Sequence, residues 1–109
     1  MSFNNKLKSK CLDKNNRLCL GLDIDNKLLK NTSLEYMESY TKEIIDATLD
    51  ICPVYKLNFA FYERYGYKGY KIIENIVQYI DNRAITIADA KRGDIGNSSK
   101  YYAESIFEY

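Results

Sequence analysis

The sequence predicts a parallel α/β fold. Three short runs rich in apolar and β-branched residues, at about 18–23, 52–57 and 84–89, have the length and composition of buried strands. The stretches between them carry helical periodicity. Such alternation builds parallel sheets through right-handed crossovers. The unusual charges of the chain lie where those three runs end: Asp23, Lys56, and then Asp89 with Lys91.

The elements follow in order. Residues 3–14 have Phe3, Leu7 and Cys11 at four-residue spacing and predict a short helix. After the first strand, Thr32-Ser33-Leu34-Glu35 has the form of a capping box, with Thr32 as the cap. The helix it opens runs to about Leu49, with Met37, Tyr40, Ile44 and Ala47 near one face. The second strand starts at Cys52-Pro53, a position that proline tolerates. A loop holding Gly66 and Gly69 leads to a helix at about 67–80, striped by Ile72, Ile73, Ile76, Val77 and Ile80. The third strand covers about 84–89. Asn97 or Ser98 is expected to cap a last helix whose apolar face includes Tyr102, Ile106 and Phe107. All these stripes are read as core faces, and most of the 11 tyrosines as half-buried packing residues.

Composition narrows the chemistry. The 109 residues are 46% hydrophobic and 28% charged with a net charge of +1, which fits one globular domain or part of one. That balance argues against a nucleic-acid or anionic-membrane surface. No apolar run approaches the roughly 18–20 residues of a membrane span. Residues 1–17 are polar and basic without the apolar core of a secretory signal, so a cytoplasmic protein is expected. Cys11, Cys19 and Cys52 form no Cys-x-x-Cys pair, and Cys19 and Cys52 are read as reduced core residues. Histidine is absent, which removes Ser-His and Cys-His nucleophiles, and neither a Walker loop nor a dinucleotide fingerprint occurs.

The densest signal is Ile85-Thr86-Ile87-Ala88-Asp89-Ala90-Lys91-Arg92-Gly93-Asp94-Ile95-Gly96-Asn97, which sets Asp89-x-Lys91-x-x-Asp94 at the end of a strand. Residues two apart on a strand share a face, so Asp89 and Lys91 leave it side by side. Spacing alone would also fit a solvated charged loop. At the C-terminal edge of a parallel sheet, however, alternating carboxylates and ammonium groups form a network. An ammonium held between carboxylates is a proton donor rather than a base. That suits a reaction that makes a carbanion and protonates it.

The Asp-Ala-Lys-Arg-Gly-Asp-Ile-Gly-Asn segment resembles the active-site strand and loop of orotidine 5'-phosphate decarboxylases, in the branch that carries this loop. Leu18-Cys19-Leu20-Gly21-Leu22-Asp23-Ile24-Asp25 resembles the first strand of that family, and Val54-Tyr55-Lys56-Leu57-Asn58-Phe59-Ala60-Phe61-Tyr62-Glu63 its second. The likeness runs from about residue 3 to residue 109. It implies a TIM (β/α)8 barrel, of which residues 1–109 would be a single partial domain: the N-terminal three β/α units, with strands ordered 1-2-3.

The resemblance also implies a reaction, the conversion of orotidine 5'-phosphate to UMP and CO2 in pyrimidine biosynthesis. Lys91 would stabilise and protonate the carbanion, and Asp89 would face the departing carboxylate. Asp23 and Lys56 would contact the ribose and orient the network. Asp94 would reach the neighbouring subunit's site in a homodimer, with Ser98 near it where the family commonly has threonine. Ile24 stands where the family usually has proline, and Arg92 and Asp25 are read as solvated or structural. No cofactor is implied. Asp23, Asp89 and Asp94 could offer oxygen ligands to magnesium, but Lys91 between two of them would repel the cation. The family's pyrimidine-contacting loop and phosphate-gripping glutamine and arginine belong to later strands. With Ile106-Phe107-Glu108-Tyr109 falling inside a predicted helix, the chain reads as an N-terminal part of such an enzyme, inactive alone. A related barrel enzyme acting on a sugar phosphate, or a non-catalytic fragment that folds only with a partner, are the competing readings.

Overall fold

The computed structural model describes residues 1–108; Tyr109 lies outside the described residues. Three parallel strands, β1 (Cys19–Gly21), β2 (Val54–Asn58) and β3 (Ile85–Asp89), form one open sheet in the order β1-β2-β3. The helices are α1 (Phe3–Lys14), α2 (Leu34–Thr48), α3 (Ala60–Glu63), α4 (Tyr67–Ile80) and α5 (Gly96–Phe107). Short 3₁₀ turns occupy Asn26–Leu28 and Asp81–Arg83. The register sets Cys19, Val54 and Ile85 abreast, then Gly21, Lys56 and Ile87, then Asn58 and Asp89. Parallel order and succession are therefore as the sequence predicts.

Alternation divides the sheet into two faces. Tyr55 and Leu57 turn toward the helices and join Leu22, Met37, Ile45, Tyr62, Ile72, Ile76 and Ile80 in the core. Cys19, Lys56, Asn58, Ile87 and Asp89 belong to the other face. Cys19 is exposed there, so it is not the core residue expected from its apolar neighbours; Cys52 is buried.

Several boundaries shift for identifiable reasons. α2 is capped by Ser33, whose hydroxyl accepts from Tyr36 N at 3.1 Å, not by Thr32. The Thr32 carbonyl instead accepts from the Asn26 amide, and Asn31 accepts from Ser33 N, so the helix opens one residue later. Its buried stripe is Met37, Thr41 and Ile45, while Ala47 is exposed. Thr41 can sit fully buried because its hydroxyl donates to the Met37 carbonyl at 2.7 Å. At the entry to β2, Cys52 N still bonds to Thr48 O, which ties Cys52 to the end of α2 and delays the strand to Val54. β1 is shorter than expected, although Leu22 N continues the ladder to Lys56 O at 2.8 Å.

α5 starts at Gly96 without a side-chain cap, so Asn97 and Ser98 lie inside it and cap nothing. The expected core faces of α1 and α5 are largely bare. Neither helix has a fully buried residue, Phe3 is 56% exposed and Phe107 is 84% exposed. Only Ile106 of α5 packs against the core.

α3 falls where a loop is expected. It packs so closely on α4 that a Cβ at Gly69 would lie 1.7 Å from the Tyr62 carbonyl oxygen. Backbone cannot yield to that contact without moving a helix. Gly69→Ala is expected to destabilise the fold by at least ~3 kcal/mol, the upper range for overpacking, read as a lower urea midpoint. An unchanged midpoint would mean that α3 and α4 separate freely.

Candidate active site

The C-terminal end of the sheet gathers the charges. Asp89 closes β3 and lies beside Asn58 of β2 in register. Its Oδ2 accepts from the Lys91 ammonium at 2.6 Å, and the Lys56 ammonium stands 3.9 Å away. Asp89 thus sits between two cations, at hydrogen-bond distance from one and at long ion-pair distance from the other. The Lys91 hydrogen bond, against a smaller burial effect and with the charges of both lysines, holds the Asp89 carboxyl below the usual carboxylate range. It stays ionised at neutral pH.

Lys91 adopts φ 52°, a left-handed conformation rare outside glycine. Such a conformation costs roughly 1–2 kcal/mol for a residue with a Cβ. The turn keeps the ammonium on Asp89 while leaving the side chain 70% exposed at the sheet's mouth.

Asp23 follows β1, and its Oδ1 accepts from Asn58 N at 3.2 Å. That bond links the ends of β1 and β2 beyond the last ladder bond. Among the described residues Asp23 makes no ion pair with either lysine. Asp94 is exposed, and its carboxylate accepts from its own neighbour, Ile95 N, at 2.7 Å. Ser98 is exposed on α5. The structure therefore gathers Asp89, Lys91 and Lys56, with Asp23 tied to Asn58 beside them, and leaves Asp94 and Ser98 out of that cluster. Asp25 is structural, as expected: it accepts from Lys27 N and pairs with Arg64 at 3.5 Å.

Sequence reasoning missed the support behind the loop. Arg92 forms an ion pair with Glu63, donates to the Ala90 carbonyl at 2.6 Å and donates to the Tyr70 hydroxyl at 2.7 Å. Tyr70 in turn donates to Glu63 at 2.8 Å, and the guanidinium lies 5.9 Å from the Tyr102 ring centre. Burial alone would raise the Glu63 carboxyl; the hydrogen bonds from Arg92 and Tyr70 outweigh it and hold Glu63 low. The available signal was the position of Glu63 at the end of the second-strand motif. Tyr62, fully buried, donates from its hydroxyl to the Leu22 carbonyl at 2.5 Å and braces the end of β1 from the helix side.

A cavity of about 1340 Å³ opens elsewhere, on the helix-facing side of β3, between Thr86, Ala88, Ile73 and Ile106. It is a gap in helix packing and does not include Asp89 or Lys91.

The chain matches the model of the orotidine 5'-phosphate decarboxylase / HUMPS family over residues 16–109. It is 44% identical over 108 residues to an orotidine 5'-phosphate decarboxylase of Dehalococcoides mccartyi, covering 99% of this chain and 39% of that one. It is 46% identical over 97 residues to one of Bacteroides fragilis, covering 84% and 35%. Among solved structures, a Toxoplasma gondii chain named as an orotidine-monophosphate-decarboxylase superposes with a TM-score of 0.91 at 31% identity, over 98% of this chain and 37% of the other. The Leishmania donovani OMP decarboxylase superposes with a TM-score of 0.83 at 28% identity, over 99% and 40%. The chain spans about two fifths of the length of these relatives.

Proposed function

Because the chain belongs to the orotidine 5'-phosphate decarboxylase / HUMPS family, we propose that it carries the carbanion-stabilising half of a decarboxylase site, in one partial barrel domain. The substrate is orotidine 5'-phosphate, and the products are UMP and CO2. The observation that carries this reading is Lys91, held at 2.6 Å on Asp89 with Lys56 behind, at the C-terminal ends of parallel strands. Such ends are where α/β barrels place their chemistry.

The chemistry follows from the charges. Breaking the bond from C6 to the carboxylate releases CO2 and leaves the electron pair on C6. The Lys91 ammonium, preorganised beside that carbon, stabilises the pair as it forms and then gives it a proton. The proton lost from Lys91 is replaced from solvent. Asp89, kept ionised by its lysines, fixes the ammonium and faces the departing carboxylate. Asp23 and Lys56 are assigned to the ribose and to orientation of the network. No cofactor is required in this scheme, since the charge of the ammonium stabilises the electron pair on C6 and its proton then quenches it. The proposed place of action is the cytoplasm, and the near-neutral net charge of +1 favours no nucleic-acid partner. No helix among the described residues is long and apolar enough to cross a membrane.

The test is UMP formation from orotidine 5'-phosphate by the assembled enzyme: this chain together with the remaining β/α units, joined to it or added separately. Turnover of a sugar phosphate with no UMP formed would overturn the reading in favour of the related barrel chemistry.

Asp94 and Ser98 are assigned to a site shared across a homodimer. Their exposure, away from the Asp89 cluster, favours a role toward a neighbour. Asp94→Ala alone is expected to be nearly inactive. A mixture of Asp94→Ala and Lys91→Ala subunits should regain up to about a quarter of the sites' activity, because each mixed dimer holds one intact site. No recovery in any mixture would place Asp94 in its own subunit's site.

A further inference from the structure

We propose that Arg92 is a positioning residue for Lys91, held in place by Glu63 and Tyr70; the inference rests on the decarboxylase reading above. Lys91 occupies a strained left-handed conformation, and strain of this kind persists only where the surroundings over-determine it. Among the described residues the ammonium is held by Asp89 alone and the side chain is 70% exposed, so its own contacts do not suffice. Arg92 supplies the missing constraint. Its Nη1 reaches back to the Ala90 carbonyl at 2.6 Å and closes a ring across residue 91, which fixes the peptides on both sides of Lys91.

The other arm of the guanidinium is anchored to the scaffold. Nη2 meets Glu63 at the end of α3 and the Tyr70 hydroxyl in α4, and the plane lies beside Tyr102 of α5. Three helices therefore grip residue 92. Beyond it the chain is open to solvent: a Cβ at Gly93 would meet nothing within 4 Å, and Gly93 and Asp94 are exposed. Arg92 is thus the last anchored point before Asp94. Glu63 also neutralises the guanidinium, so a third cation beside the two lysines does not compete with Lys91 for Asp89. The rigid fork holds the Ala90 carbonyl from one nitrogen and Glu63 from the other; a lysine offers a single nitrogen on a flexible stem.

The test compares Arg92→Lys and Glu63→Gln with the parent in the assembled enzyme. For Arg92→Lys, kcat is expected to fall on the order of 10²-fold, the scale of a misplaced catalytic group. KM should stay within about threefold, because ground-state contacts to substrate are untouched. Glu63→Gln, which keeps shape and hydrogen bonding, should lose about tenfold in kcat by the same argument. The φ-dependent amide coupling of Lys91, measured by NMR, should move away from its left-handed value in Arg92→Lys. Full kcat in Arg92→Lys would overturn the inference, as would a loss of kcat accompanied by a lowered thermal midpoint with the Lys91 coupling unchanged. If the parent enzyme forms no UMP, the decarboxylase reading fails instead. The coupling then decides alone whether Arg92 sets the conformation of Lys91: a change upholds the positioning and no change refutes it.

Discussion

Lys91→Ala is expected to abolish decarboxylation by the assembled enzyme and to leave the fold in place. The side chain is 70% exposed and packs against nothing in the core, so its loss removes little burial. What it removes is a charge and a proton at the reacting carbon. A positioned general acid contributes roughly 10²–10⁴-fold and preorganised charge roughly 10²–10³-fold, so turnover should fall by at least about 10⁴-fold. Substrate affinity should change far less, because the ammonium acts mainly on charge that develops in the transition state. Steady-state kcat and KM, with a urea melt as the control for folding, measure both effects. Near-normal turnover would show that the proton comes from another group.

Residues 1–109 by themselves are expected to form no UMP and to self-associate. The outer edges of β1 and β3 have no partner among the described residues, and unpaired strand edges recruit other chains. Ile87 on one face of β3 and Phe107 on α5 add exposed apolar surface, at 37% and 84% exposure. Catalysis should fail for a separate reason. The pyrimidine and phosphate contacts of the resembled family lie on later strands, and binding energy at such remote groups is part of what lowers the barrier. Light scattering and a UMP assay, before and after adding a polypeptide with the other five β/α units, test the two halves. A monodisperse, active monomer would overturn the expectation.

The sequence carried the sheet and most of the site, because both are local signals. Strand runs bounded by helical stripes led to the parallel 1-2-3 order, and α4 matches its expected limits, 67–80, since its isoleucine stripe is unbroken. The Asp89–Lys91 pair was legible in the motif, but a left-handed turn at Lys91, beyond the end of β3, and not strand alternation brings the ammonium back to Asp89. What was illegible depends on partners distant in the chain. Ser33 rather than Thr32 caps α2 because the Asn26 amide holds the Thr32 carbonyl and Asn31 accepts from Ser33 N. Thr41 is buried because it bonds to its own helix, which an apolar stripe cannot register. Cys19 looks like a core residue in sequence yet faces the uncovered side of the sheet. The Arg92 anchor joins residues 63, 70, 92 and 102, and no short motif spans them.

The strand order has a kinetic consequence. Each strand pairs with its successor, roughly 30–35 residues away by register, so no pairing within the sheet waits for a distant segment. Loop-closure cost rises only slowly over such lengths, and folding is quickest where contacts are near in sequence. A chain emerging from the ribosome can therefore bring Lys56 and Lys91 to Asp89 as soon as β3 and the turn after it have formed. In a closed barrel the one pairing that spans the whole polypeptide is the seam between the first strand and the last. The slow step is then expected at the outer edge of β1, after the charges around Asp89 are already in place.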